Sequence, residues 1–519
     1  MPDVTPSIIL PATLAELPAI PAYTHQQIVR VITGILLCIF LASLDQTVVI
    51  PAVPAIAGDL NAFGHLSWIV TAYLLTSTAA TPIIGKLSDI YGRRALLLPS
   101  LVLFIAASMA CGFSQTLPQL IVARAFQGLG GAGLFAMAQA SIADVVSPRE
   151  RGRYQGYMAS MWALSSIAGP ILGGWATDHL SWRWVFWANL PIGLIAMALC
   201  VRALGVIKHT RRVAQIDWTG AGLIITEVSA WLLLLSWGGT EFPWLSAPIL
   251  GLAAAGLVLF GVLVWWERRA VDPVLPPRLF GDPNFRRGVS IAFSTSLGLF
   301  GTTFLLPLYL QLVLGFDAST SGLLVVPYLG SSVVGALVSG RMARQLGRTR
   351  GIILSGLGMC LVGYAGLMLM TAGAPLVVVL VLSFVLGMGT GLTMPTVLMT
   401  VQNGAAHADV GAATGSMLFL RSMGGAFGST VVGALLTGRF EAGLRAAGVQ
   451  QSVDLGALRQ GVAQFGAVSI DTLRGALSPG FRLGFGACAL VTLLAFVTAW
   501  RMRDLPLRTS LGPASTAGH

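Results

Sequence analysis

Charge is what this sequence has least of. Asp, Glu, Lys and Arg make up 10% of its 519 residues, less than half of the roughly 25% usual in soluble domains. That scarcity excludes an ordinary soluble enzyme and any basic nucleic-acid-binding domain. The net charge of +11 does not reopen the second reading. Its Arg and Lys sit in short loops between apolar stretches, and no segment interleaves basic and aromatic residues. Cysteine is scarce as well. Cys38, Cys111, Cys200, Cys360 and Cys488 all lie in apolar stretches with no CxxC spacing, so they read as small hydrophobic residues, with no disulfide framework or zinc site. The six His are scattered, which excludes a recognisable metal set. A GxxxxGK[ST] loop is missing, so ATP is not the expected energy source, and no Ser/His/Asp arrangement can be argued. The chain reads as a non-enzyme with no cofactor.

What remains is hydrophobic. Apolar residues make up 55% of the chain, and the mean hydropathy is +0.80. Stretches of about 20 apolar residues recur, the length of a membrane-crossing helix. Fourteen such spans can be placed, roughly at 29–56, 66–86, 95–114, 118–142, 154–177, 184–206, 218–238, 246–266, 287–314, 320–341, 351–371, 375–400, 410–438 and 481–501. The fold class expected is an all-α polytopic membrane protein. Its parts are a cytoplasmic disordered tail (1–28), a six-helix half (29–206), two added helices with their linkers (207–286), and a second six-helix half (287–504). An outward loop occupies 439–480, and 505–519 form a second cytoplasmic tail. Most of the Lys and Arg fall on the side that holds both termini, which the positive-inside rule makes cytoplasmic. The localisation expected is the bacterial inner (cell) membrane. The stretches "GKLSDIYGRRALLL" (85–98) and "GRMARQLGRTRGII" (340–353) share a Gly, a basic residue and a Gly-Arg at the same offsets. Each follows the second span of its half, and duplicated halves mark secondary transporters with a site between them.

Four patterns carry chemistry. In "GILLCIFLASLDQTVVIPAVP" (34–54), Asp45 lies far from either end of an apolar run, where an acid is costly and functional by default. In "RAFQGLGGAG" (124–133), Arg124 lies about six residues into the fourth span. An arginine cannot be neutralised there and needs a carboxylate, carbonyls or a wet cavity. The two depths, reckoned at about 1.5 Å per residue, are similar enough for both side chains to face one cavity. Desolvation and a nearby cation act in opposite directions on an acid's proton affinity, so this pair reads as a proton carrier. A permanent structural ion pair is the plainer alternative. In "GKLSDIYGRR" (85–94), Gly85 and Gly92 permit close approach, and Asp89 can pair with Arg93 one helical turn on. The plainer reading is an ordinary basic loop. In "AGPILGGW" (168–175), Gly169 and Gly173 form a small-residue face and Pro170 can kink the span, which reads as a hinge or seal between the halves or as simple packing. Glu227 and Arg421 are further intramembrane charges and candidates for a second ionisable site. Trp68, Tyr73, Gln127, Gln139, Trp162, Tyr309, Gln311 and Met417 are candidate cavity residues.

These motifs resemble the signatures of the major facilitator superfamily. With "SWIVTAYLL" (67–75), "WRWVFWANLPIG" (182–193) and "LPLYLQLVLGFDASTSGLL" (306–324), the chain is similar to the fourteen-helix drug/proton antiporters over about residues 29–504. The resemblance implies export of hydrophobic, often cationic, drugs in exchange for protons by alternating access. It casts Asp45 and Arg124 as coupling residues, Gly169, Pro170, Gly173 and Gly174 as the antiporter motif, and Asp89, Gly92 and Arg93 as the switch loop. The partners it implies are the lipid bilayer, small hydrophobic substrates and protons. Some members also work with a periplasmic adaptor protein, for which the outward segment is the expected docking surface. Two departures stand out. Ile50 followed by Pro51 replaces an Asn usual five residues after the acid, a change expected to alter the polarity beside Asp45. Arg344 stands where the first half has Asp89. A dedicated exporter of one metabolite, such as a siderophore, antibiotic or fatty acid, remains an alternative. A receptor or uptake facilitator is a third reading.

Overall fold

The structure, a computed structural model, describes residues 24–60, 67–147, 150–203, 205, 216–239, 241–316, 318–370, 374–406, 409–446 and 470–507. Those residues are helical with no strand among them. The first bundle comprises α1 (His25–Asp59), α2 (Ser67–Tyr91), α3 (Arg93–Phe113), α4 (Leu117–Val145), α5 (Arg151–His179), the short α6 (Trp184–Trp187) and α7 (Asn189–Ala203). A hairpin follows, α8 (Trp218–Trp237) and α9 (Ala247–Glu267), then the short α10 (Pro277–Gly281). The second bundle contains α11 (Pro283–Leu312), α12 (Ala318–Leu324), α13 (Val326–Leu346), α14 (Arg350–Leu369), α15 (Leu376–Gly404), α16 (Val410–Ala446) and α17 (Ile470–Trp500).

Thirteen helices among the described residues are long and apolar enough to cross a membrane. The span expected at 154–177 is not one of them, although α5 has 29 residues. Its Gly, Ser, Gln and Arg content lowers the mean hydropathy, because this helix packs on protein along much of its length. The opposite case is α9, with only 17% of its best window buried against 67% for α4 and α11. It therefore lies at the rim, while α8 packs on α2 and α16.

Several expected boundaries shift. A capping box on Thr24 and Gln27 starts α1 at His25, inside the segment read as tail, and residues 1–23 lie outside the described set. The stretch read as the loop "GKLSDIYGRR" is almost wholly helical. Only Gly92, at φ 92°, separates α2 from α3, a left-handed turn that glycine adopts without strain. Gly347, at φ 63°, ends α13 at the matching position of the repeat, though two more residues precede α14 there. The outward segment 439–480 is shorter than expected, since α16 continues to Ala446 and α17 begins at Ile470, and 447–469 lie outside the described residues. At the other end, residues of the expected tail are tied down. The Pro506 carbonyl accepts from Asn403, and the Leu507 amide donates to the Gly347 carbonyl at 2.8 Å.

Glycine builds each bundle in the same way. On α4, a Cβ at Gly128 would strike Thr76 and the Tyr73 carbonyl, and one at Gly130 would strike the Phe104 backbone. On α15, Gly387 meets Tyr328 and Ser331, and Gly389 meets Gly356 and Cys360. Each of these two helices is thus wedged between two neighbours, with dispersion contacts over bare backbone where a side chain would hold the helices apart.

Candidate functional site

The wedged position of α4 sets Arg124 facing α1. Arg124 donates from Nη1 to the Asp45 carboxylate at 2.7 Å and to Gln127 Oε1 at 2.8 Å, and from Nε to the Ile69 carbonyl at 3.2 Å. Its guanidinium lies 4.4 Å from the Tyr73 ring centre and 5.8 Å from that of Phe186. The other Asp45 oxygen accepts from Gln127 Nε2 at 2.7 Å and Asn189 Nδ2 at 2.8 Å. Asn189 also donates to Ser108. Asp45 is fully buried and Arg124 almost so. Three donors surround the acid, and low dielectric strengthens each bond. The expected pairing of Asp45 with Arg124 is present, and the pair is shielded from the protein surface in this conformation.

The cluster redraws several assignments. Tyr73 and Gln127, expected to line a substrate cavity, are buried within it. An amide and a phenol carry no charge that would have assigned them to a helix face. Asn189 and Ser108 were not singled out. The signal for Asn189 was an amide in "WANLPIG", where the helix breaks at Ala188 between α6 and α7. Ile50 is 59% exposed, so the departure there does not decide the polarity beside Asp45; Gln127 and Asn189 do. The second bundle shows no matching acid–arginine pair among the described residues. Its Thr302 hydroxyl lies 3.0 Å from Tyr364 Oη, and Tyr328 and Thr390 are buried on the packed helices. The paired acid and arginine thus lie in the first half, while Arg421 stands alone in the second.

The antiporter-type glycines face α1, not the seam between bundles. A Cβ at Gly169 would collide with Thr47, and one at Gly173 with Val48. The Thr47 hydroxyl also donates to the Ser165 carbonyl at 2.8 Å. The reading of these two as an interbundle seal is corrected. They clamp α5 to α1 two to three residues beyond Asp45. Pro170 is exposed and α5 runs on through it, while Gly174 has open space before it.

The seam lies at the helix ends that adjoin the basic loops. A Cβ on Gly85 would fall 2.8 Å from the Gly411 carbonyl oxygen on α16. On the other side Gly152 of α5 and Gly340 of α13 meet backbone to backbone. Asp89 spans the seam. It pairs with Arg93 at 2.8 Å and accepts from the amides of Gly411 (3.0 Å) and Ala412 (2.7 Å). A carboxylate at a helix N-terminus satisfies orphan amides and the dipole together. Arg93 also bonds Asp144 at 2.8 Å and the Ser88 hydroxyl. The expected Asp89–Arg93 pair forms, but across the Gly92 turn and not within one helix. Arg344, at the position matching Asp89, is exposed. The linker adds Lys86–Asp272 and, at 2.7 Å, Arg278–Asp409. Farther along α5 and α13, Gly174 and Gly330 have nothing before them, so the bundles part away from the seam. Asp89→Asn is expected to weaken this latch and slow transport about tenfold, as loss of a charged cap costs about 1 kcal/mol or more. Efflux rates of Asp89→Asn and Asp89→Glu check this, and a full rate in the Asn variant would refute it.

The remaining candidates divide. Gln139 accepts from Gln155 at 2.9 Å, and its carbonyl accepts from Gln402 at 3.5 Å, so it forms part of the cleft floor. Trp162 and Gln311 are half-buried. Trp68 packs edge-on against Trp237 of α8, centres 5.9 Å apart. Tyr309 packs against Phe481 and Phe485 in the core of the second bundle, and Met417 is buried in another core cluster. These last two are packing residues, not cavity walls. Glu227 is buried in an apolar cluster of α8, α2 and α16, with one carboxylate oxygen lacking a partner among the described residues. Arg421 is on another face of α16 from the Phe419 and Met423 that meet this cluster. The two charges expected as one second site are thus separate.

A family model described as Major Facilitator Superfamily matches residues 35–429. An uncharacterised transporter of Mycobacterium tuberculosis (strain ATCC 25618 / H37Rv) is 34% identical over 92% of this chain and 70% of its own length. The multidrug transporter protein MdtP of Bacillus subtilis (strain 168) is 36% identical over 79% of this chain and 75% of its own. Among solved structures, the human organic anion transporter MFSD10 (TETRAN) aligns with a TM-score of 0.62 at 15% identity, covering 91% of this chain and 99% of that one. At that identity the likeness is one of fold alone.

Proposed function

The chain belongs to the Major Facilitator Superfamily, and from that premise we propose that it expels hydrophobic compounds from the cell in exchange for protons. Members of this family are multi-pass membrane transporters, not enzymes. The observation that carries the proposal is the sealed cluster of Asp45, Arg124, Gln127 and Asn189. A carboxylate placed so deep, on a helix clamped to α5, is suited to hold a proton in one conformation and an arginine in the other. Protonation would remove the charge that binds Arg124 and leave the guanidinium to Gln127, the Ile69 carbonyl and Tyr73. Releasing α1 from α4 in this way would favour rocking of the bundles about the seam. The reading takes α5 as the fourteenth span in a six-plus-two-plus-six layout, with halves at 29–206 and 287–504. The basic loops and both termini are cytoplasmic, and the membrane is a bacterial inner membrane. The conformation described, closed at Gly85–Gly411 and Gly152–Gly340, is then open outward.

The relative named a multidrug transporter supports a broad range of substrates, and the resemblance adds cationic drugs to it. A dedicated exporter of one metabolite is the second reading, favoured by no single contact. A periplasmic adaptor remains a partner to be sought at the outward segment. The test is uptake of lipophilic dyes into inverted vesicles carrying the full chain, with and without an imposed pH gradient. Gradient-dependent accumulation of several unrelated dyes, with proton release from the lumen on dye addition, is expected. Accumulation indifferent to the gradient would refute antiport.

A further inference from the structure

Arg421 is a cation deep in the bundle that retains part of its surface open. No carboxylate pairs with it, and no hydrogen bond to its side chain is formed among the described residues. An arginine in the membrane core is costly and cannot shed its charge, so its location matters. Thr414 lies seven residues earlier, two turns along the same face of α16. Its hydroxyl accepts from Gln402 of α15 at 3.1 Å, and Gln402 reaches the Gln139 carbonyl of α4. Seven residues later on that face, Gly428 packs on the Leu297 carbonyl of α11. The Arg421 face is therefore the inner one, turned toward α11, α15 and the first bundle. Phe419 and Met423 cover the side toward α8.

The level is informative too. α16 meets α2 at Gly415 against Pro82, and Phe419 and Met423 continue the contact on the α8 side. On the side of α16 away from that cluster Ser422 is exposed and Arg421 half-buried, so the helix opens there. The amides of Gln155, Gln139 and Gln402 with Thr414 form the floor, and Arg421 stands about 10 Å above it at 1.5 Å per residue. Asp45 neutralises Arg124, Asp89 and Asp144 neutralise Arg93, and Glu227 lies in the α8 cluster. Among the described residues the cleft therefore keeps one uncompensated positive charge, Arg421.

We propose that Arg421 is the substrate-recognition residue of the cleft and that it selects amphiphiles bearing an oxyanion, a carboxylate or a comparable acid, on an apolar body. This rests on the exporter reading and sets anionic amphiphiles in place of the cationic drugs that the resemblance suggests. The planar fork of Arg421 matches such a group bidentately, the apolar helices around it receive the body, and lipophilic cations are disfavoured at that level. Electrical coupling follows, because an anion leaving and a proton entering carry charge in the same sense.

The test uses full-length protein in phosphatidylcholine vesicles and two xanthene dyes, fluorescein (anionic) and an esterified rhodamine (cationic). Wild type is expected to move fluorescein faster than the rhodamine, and to speed up when a potassium-diffusion potential drives positive charge in the direction of proton entry. Arg421→Gln is expected to lower fluorescein transport on the order of tenfold or more, the loss of a charged hydrogen bond, while rhodamine transport is retained or rises. Arg421→Lys, which keeps the charge if the Gln variant inserts poorly, is expected to retain the preference for fluorescein. Faster rhodamine transport by wild type, or no fluorescein transport, overturns the proposal. An equal loss of both dyes in Arg421→Gln overturns it as well and makes Arg421 a residue of the conformational cycle. Antiport itself is judged separately, by whether any dye that moves depends on the pH gradient.

Discussion

Asp45→Asn is expected to reduce gradient-driven efflux to background while the protein still inserts. The variant keeps the shape of the side chain and removes the one group in the cluster that can bind and release a proton. It should also be less stable, for a reason that separates it from its partner. Removing one member of a buried ion pair costs about 3–5 kcal/mol because the other charge is left uncompensated. In Asp45→Asn the remaining charge is Arg124, whose guanidinium stays ionised at any accessible pH. In Arg124→Gln the remaining group is a carboxyl, which can take up a proton and become neutral. Thermal unfolding of the three variants in detergent should therefore rank Asp45→Asn below Arg124→Gln. The double variant Asp45→Asn/Arg124→Gln should recover stability without recovering transport. Gradient-dependent efflux by Asp45→Asn would remove this residue from the proton path. A double variant no more stable than Asp45→Asn would mean that the pair is not the source of the loss.

The second large effect lies at the seam. Gly340→Leu is expected to lower transport about ten- to a hundredfold without unfolding either bundle. The space before Gly340 is filled by the backbone of Gly152, which cannot rotate aside as a side chain can, so the helix ends must part. Core overpacking of this kind costs about 1–3 kcal/mol, enough to shift a two-state equilibrium by roughly ten- to a hundredfold. The substitution should thus hold the cytoplasmic side open. Ala143 reports on it. It is fully buried and packed in a cluster with residues of the second bundle. In an Ala143→Cys background, a polar maleimide applied to inside-out vesicles should label the Gly340→Leu protein readily and the parent slowly. Equal labelling would mean that the ends had not separated. Gly351→Leu, at a position with nothing before it, is the control expected to leave both labelling and transport intact.

Much of this site is legible in the chain because charge in an apolar segment has no neutral explanation. Asp45 and Arg124 stand out for that reason, and their depths follow from counting residues. Their neighbours do not. Gln127 is three residues from Arg124, within reach of the same turn, yet an amide there suits a cleft wall as well as a buried bridge. Only the position of α1 decides between them. Asn189 reaches Asp45 across 144 residues of sequence, and no local pattern records that approach. Arg421 was legible as a charge but not as an unpaired one, since pairing depends on which helix its face meets.

The spacing of Gly169 and Gly173 likewise defines a thin face without naming the helix that fills it. The sequence alone determined a many-helix membrane protein, the repeat of its two halves and the acid and arginine at its centre. Composition, residue spacing and the cost of burying charge are properties of the chain itself. The tertiary structure decided that those glycines clamp α5 to α1 beside Asp45, that Asp89 joins the bundles, and that Tyr309 and Met417 belong to cores. Each of these depends on the direction a helix face takes in space. Helix rotation is set by packing against neighbours distant in sequence, and the local pattern of residues does not encode it.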